Sequence, residues 1–213
     1  MEQLLEKLFE SIAKVRLLRL FLRNTEESFT FQALVKRTQL RPGHLRKELG
    51  KLLKVGLAKS KTATFKEEIQ KRSHSKRKPP KISFKIRKAK VFYANPEFKL
   101  LKELRDLLIK ASVAPRAKLL RQVKGLGNIK LCVVSGVFLG SDNSRIDLLL
   151  VCDNVKKRKL DKFLSGVESE IGKALRYTVM DTNEFKYRLD MYDRFLRDIL
   201  EYPHEKLVNK VHL

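Results

Sequence analysis

The first 60 residues place apolar side chains at the spacing of an amphipathic helix, and turn signals interrupt this pattern twice. Aliphatic residues recur every three or four positions and predict one helix over residues 4–23. Thr30 precedes a second apolar stretch and is expected to cap a helix over residues 31–38. Pro42 suits the first turn of a third helix, which Gly56 ends. Residues 28–30 are predicted as a short extended segment, so the predicted order is helix, short strand, helix, tight turn and helix.

The pattern changes from helical to extended after this third helix. Residues 57–60 open a strand, residues 82–86 alternate apolar and polar positions, and residues 91–94 are a further strand candidate. Charged residues and serines dominate the interval 61–81. Leucines at helical spacing then predict a connecting helix over residues 98–112. Two strands around a charged segment predict a two-stranded wing beside the helices.

The second half of the chain alternates β-prone runs with helices. The predicted elements are a helix over 115–124, strands over 129–134 and 146–151, a helix over 157–173, a strand over 175–180 and a long helix over 184–200. Asp181 and Glu184 have the spacing of a capping box for the last helix. We therefore predict an α+β chain, with a small α/β domain over residues 113–213 and a boundary near residue 112.

Positive charge is concentrated in the first half. Residues 1–110 hold 29 of the 48 Lys and Arg residues but only 11 of the 24 Asp and Glu residues. Residues 59–90 alone hold 13 basic residues against two acidic ones, Glu67 and Glu68. Charge of one sign beside a compact helical pattern is typical of a surface that binds a polyanion. Nucleic acid is the leading partner on this ground.

Composition narrows the class of protein further. A hydrophobic fraction of 43% is sufficient for a packed core. The longest apolar runs, such as residues 148–152, are too short to cross a bilayer, and no cleavable leader pattern opens the chain. Cys132 and Cys152 lie in strand-like runs without Cys or His companions, which predicts buried thiols rather than a disulfide or a metal site. We expect a cytoplasmic protein with no cofactor, no metal and no membrane contact.

Residues 12–60 resemble the winged helix-turn-helix family. The resemblance is carried by the apolar first helix, Phe29-Thr30, Leu34-Val35, Leu45-Arg46-Lys47-Glu48-Leu49 and the terminator Leu53-Lys54-Val55-Gly56-Leu57. It implies that the third helix enters the major groove of duplex DNA while the wing contacts phosphates or the minor groove. Residues 1–112 would then form the DNA-binding domain, with a basic wing and the connecting helix.

The resemblance also implies which side chains face DNA. On the third helix they are Arg41, His44, Arg46, Lys47 and Lys51. In the wing they are Lys71, Arg72, Lys76, Arg77 and Lys78. An arginine can form two hydrogen bonds with a guanine edge, whereas the lysines of the wing mainly neutralise phosphates.

Residues 134–151 resemble the core of the minimal nucleotidyltransferase fold. Members of that family carry Gly-Ser after the first strand, followed by a strand that begins with two alternating carboxylates. These groups hold a triphosphate and two Mg²⁺ ions. Position by position, Gly136 matches the glycine and Asp147 matches the second carboxylate.

Several departures from this motif predict that the domain is catalytically inactive. Val137 replaces the serine, Arg145 replaces the first carboxylate, and the strand over 175–180 offers no third carboxylate. A two-metal site needs several oxygen ligands, and an arginine would repel the cations. We expect Asp147 instead to accept hydrogen bonds from Ser144 or from backbone N–H groups.

Taken together, the chain resembles prokaryotic transcriptional regulators that join a winged helix to a reduced nucleotidyltransferase-like domain. The first hypothesis is a regulator that binds double-stranded DNA and uses residues 113–213 for dimerisation or ligand sensing. The alternatives are a nucleotidyltransferase acting on nucleic acid or protein, and an antitoxin-like interaction protein. The apolar stripe of the 184–200 helix should pack mostly on its own sheet, leaving a homodimer and any small-molecule ligand as open questions.

Overall fold

The computed structural model describes residues 2–71, 81–110, 116–141 and 144–211. Its helices are α1 (Glu2–Leu8), α2 (Ile12–Arg23), α3 (Phe31–Thr38), α4 (Pro42–Val55), α5 (Leu101–Lys110), α6 (Arg116–Lys124), α7 (Lys157–Ile171), α8 (Thr182–Asp190) and α9 (Arg194–Glu201). Its strands are β1 (Phe29–Thr30), β2 (Ala58–Lys71), β3 (Lys81–Ala94), β4 (Asn128–Ser135), β5 (Leu148–Asp153), β6 (Tyr177–Met180) and β7 (His204–Asn209). The predicted α+β class is confirmed.

Local signals fixed the helices of the N-terminal half. The Thr30 hydroxyl accepts a hydrogen bond from the backbone N–H of Ala33 at 3.2 Å, which caps α3 as predicted. Pro42 lies in the first turn of α4, and Gly56 ends that helix with a left-handed φ of 81°. The structure therefore confirms these helix ends. They could be predicted because capping depends on residues within one turn of the helix end.

The N-terminal core lies between these helices and a three-stranded antiparallel sheet of order β1-β3-β2. Phe21, Leu34 and Leu45, from α2, α3 and α4, are fully buried in it. Leu108 of α5 joins the same cluster. The helices are therefore held as one unit, with the β2–β3 hairpin projecting from it.

The β2–β3 hairpin is longer and more regular than predicted. Its register runs from Ala58 opposite Ala94 to Lys71 opposite Lys81. The separate strands predicted over 82–86 and 91–94 are one strand, and β2 continues well beyond residue 60. In the segments 59–64 of β2 and 86–90 of β3 most side chains are exposed, so the apolar pattern carried little signal there. The pairing of the two backbones defines the hairpin.

The C-terminal half is a sheet of order β6-β5-β4-β7 between two pairs of helices. β5 is parallel to β6, while β4 is antiparallel to both β5 and β7. Successive side chains of a strand face opposite sides of the sheet. One side packs on α6 and α7 through Cys132, Val134, Leu148 and Leu150. The other packs on α8 and α9 through Leu131, Val133, Leu149 and Val151.

Two predicted helices are each divided, and one strand was missed. The helix predicted over 4–23 breaks before Ser11, which caps α2, and Glu10 has a φ of 53°. The helix predicted over 184–200 breaks at Tyr192, with a φ of 52°, and Asp193 caps α9. Strand β7, over residues 204–209, was not predicted.

The two halves meet where α2 contacts the C-terminal end of α7. Arg19 donates a hydrogen bond from Nη1 to the carbonyl oxygen of Glu170 at 2.8 Å. The Asn24 amide donates to the carbonyl oxygen of Gly172 at 2.7 Å. Both side chains are buried, and they satisfy carbonyl groups that a helix end leaves unpaired. The domain boundary near residue 112 stays a prediction, because the two halves pack together across it.

Candidate nucleic-acid interface

Helix α4 is anchored by one apolar face and presents the opposite face to solvent. Leu45, Leu49 and Leu52 are buried against the N-terminal core. Gln39, which precedes the helix, has a left-handed φ of 55° and turns the chain sharply between α3 and α4. The apolar face fixes the rotation of α4 about its axis, so its remaining side chains have defined directions.

All five basic residues predicted on this helix are exposed, and one of them, Lys51, also forms an ion pair. Arg41, His44, Arg46 and Lys47 are exposed. The Lys51 ammonium lies 2.7 Å from Oε1 of Glu48, whose side chain is buried beneath it. The positive charge of Lys51 is therefore partly neutralised within the helix.

Arg46 lies against an aromatic ring. Its guanidinium carbon is 5.2 Å from the centroid of Phe31, the first residue of α3. A cation over an aromatic face is stabilised by the ring quadrupole, and stacking reduces the number of conformations of the long side chain. Arg46 is thereby held on the side of α4 that faces β3.

The predicted basic residues of the wing fall mostly beyond the described residues. Lys71 ends β2, with its backbone paired to Lys81. Arg72, Lys76, Arg77 and Lys78 lie outside the described residues. Their contribution to DNA binding stays a prediction.

Three basic residues on β3 were not predicted as site residues. Arg87, Lys88 and Lys90 are exposed on the strand that returns from the wing towards α4. The signal was present, because Lys88 and Lys90 fall two positions apart and therefore share one face of the strand. The pairing of β1 with β3, which brings this face beside α3 and α4, could not be read from a local pattern.

Helix α4, the start of α3 and strand β3 enclose a groove of about 930 Å³. We call it the α4–β3 groove and define it by Phe31, Arg46, Gly50, Lys88 and Lys90. All five residues line it. It brings Arg46 of α4 beside Lys88 and Lys90 of the hairpin.

Gly136 and Asp147, the two residues matched to a nucleotidyltransferase motif by resemblance, have a different geometry from a metal site. Asp147 is fully buried just before β5. Its Oδ1 accepts a hydrogen bond from the Val137 N–H at 3.1 Å, and its Oδ2 accepts one from the Arg176 N–H at 2.9 Å. The expected hydrogen bonds from backbone N–H groups are confirmed. Gly136 lies directly against this carboxylate, because an added Cβ would be 2.2 Å from Oδ1.

Arg145, which replaces a carboxylate in the predicted motif, forms an internal ion pair. Arg145 donates a hydrogen bond to the carboxylate of Asp198 on α9, and its guanidinium carbon lies 5.7 Å from the ring centroid of Phe195. Both Arg145 and Asp198 line a cavity of about 420 Å³ beside Gly136. Any anionic ligand in this cavity would compete with Asp198 for the guanidinium group.

The two cysteines are buried and free, as predicted. Burial raises the pKa of the Cys132 thiol to about 12, and burial followed by the charge of Asp153 raises the pKa of Cys152. Both thiols are therefore unreactive at neutral pH. Within the described ranges, no three His, Cys, Asp or Glu side chains are grouped so that they could hold a metal ion.

Comparisons with protein-family models, with curated proteins and with solved structures give no match to this chain. No helix in the described part of the chain combines the length and apolar character that crossing a bilayer requires.

Proposed function

We propose that this protein is a transcriptional regulator that binds double-stranded DNA. In this proposal residues 1–112 are a winged helix-turn-helix domain, with α3 and α4 as the helix-turn-helix and the β2–β3 hairpin as the wing. Helix α4 enters the major groove, where Arg46 and Lys47 approach base edges or phosphates.

One observation carries the proposal. The α4–β3 groove is lined by Arg46 of α4 and by Arg87, Lys88 and Lys90 of β3. Arg41 and Lys47 are exposed elsewhere along α4. A solvated surface usually mixes charges of both signs, whereas none of the residues that line this groove, all of which the structure describes, is Asp or Glu. Duplex DNA supplies closely spaced phosphates to such a surface.

The C-terminal half, in this proposal, is a nucleotidyltransferase-like domain without catalysis. Both oxygens of Asp147 already accept hydrogen bonds, and Arg145 is paired with Asp198. Neither arrangement offers oxygen ligands to Mg²⁺. The domain instead supports the DNA-binding half through the contact between α2 and α7, and dimerisation or ligand sensing remains its proposed further role.

Duplex binding and its dependence on salt test the proposal. A preferred sequence is first selected from a random duplex pool, and its affinity is then measured by fluorescence anisotropy between 50 and 300 mM salt, roughly the range over which phosphate contacts dominate. Lys47, Lys88 and Lys90 are replaced together by Ala. We expect a loss of at least about tenfold in affinity and a lower salt slope, since each phosphate contact contributes about 0.9 to that slope.

A matched variant removes the same charge elsewhere. Lys157, Lys159 and Lys162 are exposed on α7, and replacing all three by Ala should leave affinity and salt slope nearly unchanged. Equal losses in the two triple variants would indicate non-specific attraction by net charge. Absence of salt-dependent duplex binding by the intact chain would overturn the proposal.

A single substitution in α4 tests base recognition. Arg46→Ala should weaken the selected sequence by about 1–3 kcal/mol and reduce discrimination at one base pair. Neutralising Lys76, Arg77 and Lys78 together should instead weaken all duplexes alike. If Arg46→Ala also weakened every sequence equally, Arg46 would contact phosphate rather than a base.

A further inference from the structure

The α4–β3 groove has an apolar floor. Leu49 and Phe92, which line it, are almost completely buried in the N-terminal core, and Leu53 and Phe31 are partly buried beside them. Ligand pockets in proteins have volumes of about 300–1,000 Å³ and are mostly apolar, with a few polar groups that fix orientation. The volume of about 930 Å³ lies at the upper end of that range.

The rim of the same groove is cationic. Arg46 contributes a guanidinium group from α4, and Lys88 and Lys90 contribute ammonium groups from β3. Two of these cations already lie over aromatic rings of the floor, Arg46 over Phe31 and Lys90 over Phe92 at 5.8 Å. None of the residues that line the groove, all within the described ranges, is Asp or Glu. The rim is therefore complementary to a negative charge.

Gly50 keeps the groove open on the α4 side. A Cβ added there would meet nothing within 4 Å. Glycine in a helix interior destabilises the helix by about 0.5–1 kcal/mol relative to alanine. A glycine at position 50 therefore does not favour folding. It does leave room for a bound molecule against α4.

We propose that the α4–β3 groove binds a small amphipathic anion, a molecule with an apolar ring or chain and one carboxylate or phosphate group. The apolar body packs on Phe31, Leu49 and Phe92, and the anionic group lies between Arg46 and Lys90. A neutral apolar molecule would leave the cations without a counter-charge. A small polar anion would leave the floor exposed to water.

Binding in this groove has a regulatory consequence that rests on the proposed function. The groove lies between α4 and the hairpin, which are the elements proposed to contact DNA. Arg46, Lys88 and Lys90 cannot neutralise a ligand and DNA phosphates at the same time. The ligand therefore releases the protein from DNA.

The probe for this site is 2-naphthoate, with 2-naphthamide as its neutral counterpart of the same shape. Calorimetry on the full chain without DNA should show naphthoate binding, at least tenfold weaker for the amide. Amide shifts in NMR spectra should concentrate at Phe31, Gly50 and Lys90. Equal affinity for acid and amide, or shifts concentrated in another part of the chain, would overturn the proposal.

A groove-filling variant tests the location. Gly50→Leu should reduce naphthoate affinity at least tenfold, while Gly166→Leu should not. Gly166 lies within α7, and a Cβ there also meets nothing within 4 Å. If Gly50→Leu lowers the melting temperature by more than the control does, Lys88→Ala with Lys90→Ala replaces it. Naphthoate affinity that is unchanged in the variant used would overturn the site.

A competition arm separates the ligand site from the proposed function. Naphthoate should raise the apparent Kd for duplex DNA by the same factor in the parent chain and in Gly166→Leu, whereas 2-naphthamide at the same concentration should raise it far less. Naphthoate binding without release of DNA would overturn the regulatory consequence and leave the site. Naphthoate binding by a chain that binds no duplex would overturn the proposed function and leave the site.

Discussion

Gly136 and Asp147 show how one contact determines two residue types. Gly136 has a φ of 55°, and the space where a Cβ would lie is taken by the Asp147 carboxylate. The sequence allowed us to expect backbone hydrogen bonds to Asp147. It did not allow us to predict Arg176 as a partner, because that contact spans 29 residues and requires β5 beside β6.

The close approach of Gly136 to the Asp147 carboxylate predicts the effect of adding a methyl group at position 136. Gly136→Ala should lower the free energy of unfolding by about 2–4 kcal/mol, from left-handed strain plus the clash with a buried carboxylate. Gly140 has a φ of 77° but open space at its Cβ position. Gly140→Ala should therefore show only the strain, about 1–2 kcal/mol. Urea denaturation measures both, and equal losses would mean that the contact with Asp147 contributes little.

The hydrogen-bonded carboxylate of Asp153 predicts that the stability of the fold depends on pH. The N–H and then the hydroxyl of Thr182 donate hydrogen bonds to its carboxylate, at 3.0 and 2.9 Å, and lower its pKa below 3.8. A lowered pKa stabilises the fold above the pKa of the unfolded chain, and this contribution is lost as pH falls through the folded value. Asp153→Asn should therefore lower the melting temperature most at pH 7, and the difference from the parent chain should shrink as the pH falls through the folded pKa of Asp153.

Asp161→Asn provides the comparison for Asp153, since Asp161 is exposed on α7. Its effect on the melting temperature should be small at pH 7 and at lower pH. A difference between parent and Asp153→Asn that stayed constant with pH would show that the hydrogen bonds act without the carboxylate charge.

At the scale of elements, local chemistry predicted helix ends better than helix interruptions. Thr30, Pro42 and Gly56 act through neighbours within one turn, so their roles could be inferred from the sequence. Glu10 and Tyr192 adopt left-handed φ angles, which residues other than Gly, Asn and Asp rarely take. The local sequence therefore did not indicate these breaks. Strand β7 was missed for a related reason, because its pairing with β4 is entirely non-local.

The contact between α2 and α7 depends on the glycine that ends α7. Gly172 ends α7 with a φ of 83°, and an added Cβ would lie 2.6 Å from the carbonyl carbon of Arg19 and 2.8 Å from the N atom of Leu20. Gly172→Ala should therefore separate the two helices as well as strain the turn. We expect a loss of about 2–4 kcal/mol in the free energy of unfolding.

Gly56 is the matched control for this prediction. It ends α4 with a φ of 81°, and a Cβ there meets nothing within 4 Å. Gly56→Ala has the same strain without a neighbouring helix, so its loss should be about 1–2 kcal/mol. If both variants lost the same amount in urea denaturation, α2 and α7 would not be held together at Gly172.

For the whole molecule, the sequence predicted the class and the location of charge but not the joining of the halves. The basic surface was visible because charge composition needs no knowledge of pairing. The burial of Arg19, within α2, and of Asn24, which follows the last residue of α2, was not visible, because polar side chains are usually exposed unless a partner is available. Their partners lie about 150 residues further along the chain, as the backbone carbonyls of Glu170 and Gly172.

Because the two halves contact each other through Arg19 and Asn24, an isolated N-terminal fragment should differ from the full chain. A fragment of residues 1–112 keeps α4 and the hairpin, so it should retain salt-dependent duplex binding. The fragment lacks α7, which contacts Arg19, so the Arg19 side chain, 3% exposed in the full chain, should be more exposed to solvent. Arg19→Ala should therefore cost about 1–3 kcal/mol in the full chain, where the carbonyl oxygen of Glu170 loses this donor, but less than about 1 kcal/mol in the fragment. Urea denaturation of the four proteins measures this difference, and an equal cost in both lengths would show that Arg19 acts within the N-terminal half alone.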